Sequence, residues 1–186
     1  MKRTYLAIGT ILAVTCASAF AGDSGLYIGA DVGRAGYTTG TGANSSAVYG
    51  ITGGYQFSKN WGAEAQYTGL GNYSGVSATT GAAFSSKADA ESLVAIGMFS
   101  IADVLSVYGK LGVANTNNNQ NHSNGTSGNT SRVDATYGLG VQYEINSAIG
   151  ARFGWDRYIA DSFSTTTGLK NSRNMDVWAL GAVYKF

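Results

Sequence analysis

The chain has 186 residues, 27 of them glycine and 12 tyrosine, with no proline and only 12% charged residues. A soluble domain carries about 25% charged residues, so this one is short of the groups that keep a surface wet. Its near-neutral balance of 12 Lys and Arg against 11 Asp and Glu gives no reason to expect nucleic acid or an acidic substrate.

Residues 1–21 read as a secretory signal: Lys2 and Arg3, an apolar run around Leu6 to Val14, then Ala19-Phe20-Ala21 as a small-x-small cleavage site. The barrel reading below therefore covers residues 22–186, with an uncleaved anchor helix as the alternative for the first segment. Cys16 falls inside it, and Thr15 before it is a poor fit to lipid modification. The mature chain then holds no cysteine and needs no disulfide.

Beyond residue 21, runs of alternating apolar and polar residues predict strands, because successive strand side chains point to opposite faces. The first, residues 25–33, puts Leu26, Ile28, Ala30 and Val32 on one face and Tyr27, Gly29, Asp31 and Gly33 on the other. A Gly/Thr/Ser loop is expected over residues 35–45. The second run, 47–57, has an outer set of Ala47, Tyr49, Ile51, Gly53, Tyr55 and Phe57. After the turn "SKN" comes 61–70, with Trp61, Ala63, Ala65 and Tyr67 opposite Glu64, Gln66 and Thr68.

The fourth strand, near 87–99, admits two registers. Val94, Ile96 and Met98 make one outer stripe, turning Lys87, Asp89 and Glu91 inward; the opposite register is also defensible. The fifth, 105–113, sets Leu105, Val107 and Leu111 outside and Lys110 inside. Residues 115–132, "NTNNNQNHSNGTSGNTSR", read as a long solvated loop. The sixth, 133–145, alternates Val133, Ala135, Tyr137, Leu139, Val141, Tyr143 and Ile145 with Asp134, Thr136, Gly138, Gly140, Gln142 and Glu144. The seventh, 148–158, sets Ile149, Ala151, Phe153 and Trp155 against Gly150, Arg152, Gly154 and Asp156. A polar loop at 160–173 precedes the last strand, whose outer face is Trp178, Leu180, Ala182, Tyr184 and Phe186.

Strands of about 9–13 residues match the length that crosses a bilayer on a tilt. Short turns ("SKN", "SIAD", "NSA") alternate with long polar connections, as in an outer-membrane barrel with short periplasmic turns. Closure follows because an open edge in lipid leaves backbone groups unpaired, at several kcal/mol each. Tyr67, Tyr143, Trp155, Trp178 and Tyr184 fall near strand ends, where interfacial girdles sit. The expected fold is all-β: an eight-stranded antiparallel up-and-down transmembrane β-barrel with both termini periplasmic. A soluble β-sandwich is the alternative.

The stretches "GGYQFSKNWGAEAQY", "SIADVLSVYGKLG", "GLGVQYEINSAIGARF" and "WALGAVYKF", in this order and spacing, resemble the transmembrane domain of OmpA-like outer-membrane proteins over essentially the whole mature chain. The resemblance implies an eight-stranded barrel of the bacterial outer membrane, in contact with its lipid and lipopolysaccharide. It also implies that Trp178, Leu180, Tyr184 and Phe186 act as a C-terminal signal for the outer-membrane assembly machinery. Larger relatives continue into a peptidoglycan-binding domain, so the chain resembles a barrel-only member.

The inward sets hold Asp31, Glu64, Lys110, Glu144, Arg152 and Asp156, with Gln66 and Gln142. Eight strands enclose a space that side chains just fill, and buried charges there need partners. Glu64 and Arg152 are expected in one network with Lys110 near it; the resemblance supports this, with an acid in the third strand and bases in the fifth and seventh. Family members often carry further charges where this chain has Ile96 and Gln142. Two readings stay open: a gate on a narrow ion path, or a plug that orients the core.

No enzyme chemistry is expected. The single histidine, His122, has Ser123 beside it but no acid between Asn115 and Ser131 to complete a triad. No Cys or His cluster suggests a metal, and no cofactor is implied. The function expected is a structural barrel that supports the envelope and displays polar loops for adhesion or an unknown surface ligand. The alternative is a narrow porin-like channel for ions or small solutes.

Overall fold

The computed structural model describes residues 24–39, 42–76, 83–122, 127–163 and 170–186; the expected signal at 1–21 lies outside them. The described residues form eight strands: β1 (Gly25–Thr39), β2 (Gly42–Ser58), β3 (Trp61–Val76), β4 (Ala83–Ala102), β5 (Leu105–His122), β6 (Ser127–Glu144), β7 (Ile149–Phe163) and β8 (Lys170–Lys185). Each is hydrogen-bonded antiparallel to the next, and β8 returns to β1, so the sheet is a closed barrel.

The first described residues of β1, the C-terminus and three tight turns share one end, here the terminal end. Its turns are local products of the sequence. In the β6–β7 turn the Asn146 side-chain oxygen accepts from the backbone N–H of Ala148 (2.9 Å) and Ile149 (2.8 Å), an Asx turn that reverses the chain. Register shifts at Gln56/Ser58 and Ser100/Ala102 sit beside the other two turns. The opposite, hairpin end carries longer strand extensions.

The outer face is apolar over most of its height. Leu26, Ile28, Val32, Ile51, Leu93, Phe99, Leu111, Leu139 and Leu180 are all exposed. On β6 the outward stripe runs from Val133 to Ile145; at about 3.3 Å per residue and a tilt near 40°, it covers about 30 Å along the barrel axis. That is the thickness of a bilayer's hydrocarbon. Tyr55, Phe57, Trp61, Tyr143, Tyr184 and Phe186 ring the terminal end of the stripe, and Tyr49, Tyr137, Trp155 and Trp178 its hairpin end.

Two expectations need correction. The stripe of Val94, Ile96 and Met98 faces inward, all three buried, while Leu93, Ala95, Phe99 and Ile101 face out. Directly paired residues of an antiparallel ladder share a face. Glu64 pairs with Val94 and Lys110 with Ile96, so the inward charges of β3 and β5 carry those positions inside. Lys87, Asp89 and Glu91 then face outward, at the hairpin end beyond the apolar stripe.

The polar connections are also shorter than expected. Residues 35–39 and 42–45, 115–122 and 127–132, and 160–163 and 170–173 are strand. The ladders begun in the apolar stripe continue through them: β5 and β6 stay paired out to Asn121 and Ser127. Pairing with a strand already in register outweighs the weak strand preference of Asn and Gly.

Candidate functional site

The enclosed interior is the place where this fold concentrates chemistry. From the terminal end upward, β1 contributes Tyr27, β3 Glu64 and Gln66, β5 Tyr108 and Lys110, β6 Gln142 and Glu144, and β7 Arg152 and Asp156. Glycines make the room. A side-chain carbon built at Gly54 would lie 2.2 Å from the Tyr27 ring, and one at Gly154 would lie 2.3 Å from the Tyr108 hydroxyl oxygen. Both tyrosine rings therefore lie over glycine backbone.

The Glu64 carboxylate is wholly buried and collects three donors: Tyr27 Oη at 2.7 Å, Gln66 Nε2 at 2.7 Å and Arg152 Nη1 at 2.5 Å. Arg152 also donates through Nε to Gln142 Oε1 at 2.5 Å. Its guanidinium stands 5.2 Å from the Tyr27 ring centre and 5.3 Å from that of Tyr108, within reach of a cation–π contact. Gln142 in turn donates to Glu144, which accepts from Lys185 Nζ at 2.8 Å. One continuous chain of hydrogen bonds thus runs from β3 across the barrel to β8.

Lys110 belongs to a second pair. Its Nζ meets both Asp156 oxygens, at 2.9 and 3.0 Å. Asp31, Thr52, Thr68, Lys110, Asp156 and Tyr158 are among the residues lining a cavity of about 50 Å³, room for water but for no solute of drug size. Asp31 sits against Gly50 and Gly181, where any larger neighbour would collide with its carboxyl group.

Above this cavity the interior turns apolar. Ala35, Val48, Leu70, Ala88, Ala90, Ala114, Tyr158, Met175 and Val177 form one buried cluster, in which Ala35 and Leu70 have no exposed surface. At the terminal end, by contrast, a vestibule of about 690 Å³ opens between Tyr27, Gln56, Lys59, Met98, Glu144 and Lys185.

All six charges expected inside do point inward. The structure joins Glu64, Arg152 and Glu144 in one network and places Lys110 with Asp156 in another, with Asp31 at the intervening cavity. Sequence reasoning missed the roles of Tyr27, Tyr108 and Lys185, and the apolar layer entirely. Tyr27 opposite glycine-rich neighbours was the only local signal for the first. Trp178, Leu180, Tyr184 and Phe186 lie outward and exposed, with Phe153 stacked on Trp178 at 5.8 Å. Among the described residues no group of His, Cys, Asp and Glu is placed to hold a metal ion; the His122 side chain lies outside them.

A family profile described as "Outer membrane protein beta-barrel domain" matches residues 7–186. Among solved structures, the chain is similar to the neisserial surface protein NspA, with TM-score 0.66 and 16% identity over 88% of this chain and 99% of that one. It is similar to OprG of Pseudomonas aeruginosa, with TM-score 0.63 and 18% identity over 89% and 97%. The N-terminal barrel of Pseudomonas aeruginosa OprF gives TM-score 0.59 and 22% identity over 89% and 98%. At these identities the likeness concerns the fold. A comparison with curated proteins finds no match.

Proposed function

Because the chain belongs to the outer-membrane protein β-barrel family, we propose that it is a non-enzymatic structural barrel of the bacterial outer membrane that displays its hairpin end outside. In this reading residues 1–21 are removed on export, the termini are periplasmic, and the exposed Trp178–Phe186 stripe serves both the lipid and the assembly machinery. The lipopolysaccharide leaflet surrounds the Tyr49, Tyr137, Trp155 and Trp178 level. The polar strand extensions stand in water and meet surface partners.

The observation that carries this reading is the apolar layer across the interior. Side chains lining an aqueous pore stay exposed to the water in it, whereas Ala35, Leu70, Ala88, Ala90 and Tyr158 are 0–2% exposed. The paired charges below the layer have partners on non-adjacent strands across the interior, which suits a filled core. The channel reading draws on one feature, the cavity bordered by Asp31, Lys110 and Asp156.

Planar-bilayer recording of the refolded mature chain separates the two. Silence is expected for the native protein, whose apolar layer closes the interior, and for Arg152→Met, which leaves that layer in place. Discrete, salt-dependent steps from the native protein would turn the assignment to a narrow pore.

A further inference from the structure

Below the apolar layer the inward strand residues include four carboxylates, Asp31, Glu64, Glu144 and Asp156, against three cations, Lys110, Arg152 and Lys185. Each cation has one of these carboxylates to itself. Arg152 takes Glu64, Lys110 takes both oxygens of Asp156, and Lys185 takes Glu144. Asp31 is left over. Among the described residues it makes no ion pair and no side-chain hydrogen bond.

The register explains why. Asp31 is paired with Gly50 of β2 and Gly181 of β8. A side-chain carbon built at Gly50 would lie 2.6 Å from either Asp31 oxygen, so the carboxylate lies over bare backbone. The inward residues next along these strands are Gly29 and Gly33, Val48 and Thr52, and Ala179 and Val183, with one hydroxyl between them. What the carboxylate borders instead is the cavity of about 50 Å³, which Thr52, Thr68 and Tyr158 also line. The Thr68 and Tyr158 hydroxyls stand 3.2 Å apart on its wall, and Tyr158 and Val177 belong to the apolar layer above.

We propose that this cavity is a site for one monovalent alkali cation, held by the Asp31 carboxylate together with neutral oxygens of the wall and water. An ionised carboxylate shut inside a protein without a partner costs several kcal/mol, so the left-over charge calls for a counter-ion. The cavity has room for a few water-sized particles and for nothing larger. The charge count selects the class of ion: one positive unit balances the interior, whereas a divalent ion would leave it positive. Carboxylate, hydroxyl and water are hard oxygen donors, which suit a hard cation. Such a site is unlike a metal centre built from several carboxylates, imidazoles or thiolates, which the described residues do not form. It does not depend on which end of the barrel faces outward, and its failure leaves the envelope reading standing.

The test is the thermal midpoint of the barrel refolded in vesicles of uncharged lipid, in sodium chloride against choline chloride at equal ionic strength and pH. A saturable rise with sodium is expected, about 3–6 °C at ten times the half-saturating concentration. Asp31→Asn removes the left-over charge and should abolish the sodium dependence. Asp156→Asn frees Lys110 for Asp31 and should abolish it too, which keeps the test decisive if the first variant folds poorly. Equal midpoints in the two salts, or a sodium rise that survives in either folded variant, overturns the proposal. So does an infrared band of a neutral carboxylic acid in the native barrel that Asp31→Asn lacks, since a proton would then stand where the ion is placed.

Discussion

Removing Arg152 tests the interior most directly. Glu64 is fully buried, and of its three donors only Arg152 is charged. In Arg152→Met the carboxylate keeps the Tyr27 hydroxyl and the Gln66 amide but loses its counter-charge, and Gln142 loses a donor. Leaving one member of a buried pair uncompensated costs about 3–5 kcal/mol. For a chain of this size each kcal/mol moves the midpoint by about 2–4 °C, so a fall of about 10 °C is expected. The assay is unfolding in lipid vesicles, followed by tryptophan fluorescence and by the boiled-against-unboiled gel shift. Glu64→Gln combined with Arg152→Met removes both charges and should recover most of the loss, because replacing a buried pair by neutral groups is often without cost. A single-variant loss below about 1 kcal/mol, or a double variant as unstable as the sum of the singles, would refute the reasoning: the pair would then not be coupled across a dry interior.

Three further outcomes are expected. Gly154→Ala should cost about 1–3 kcal/mol by overpacking, and Tyr108→Phe should relieve much of it, because the new carbon would lie 2.3 Å from the hydroxyl oxygen but 3.3 Å from the ring carbon that bears it. In a chain made without residues 1–21, and so without Cys16, a label at position 93 or 95 should be quenched by lipid-soluble reagents and one at 94 or 96 should not; Leu93→Arg should cost about 2–4 kcal/mol in vesicle unfolding. Phe186, 73% exposed and edge-on to Tyr184 at 5.1 Å, should change little in the folded barrel when replaced by Ala. Its loss should instead slow insertion into vesicles that carry the assembly machinery, and equal insertion rates would remove the assembly role.

The sequence by itself determined what is local. Alternation with period two placed the lipid-facing stripe on seven strands, because that stripe must be apolar wherever it meets hydrocarbon, and it placed Asp31, Glu64, Lys110, Glu144, Arg152 and Asp156 on the opposite face. β4 was ambiguous because both of its faces are apolar between residues 93 and 99, and only the Glu64–Val94 and Ile96–Lys110 pairings decide which one faces in. Tertiary structure alone decided who meets whom inside: Glu64 and Arg152 are 88 positions apart, and their contact depends on the register accumulated around the whole barrel. The apolar layer is likewise assembled from β1, β2, β3, β4, β5, β7 and β8, each strand adding only one or two residues that carry no signal in their own strands. The strand extensions followed the same logic, since Asn- and Ser-rich segments pair only because the ladder beneath them is already set.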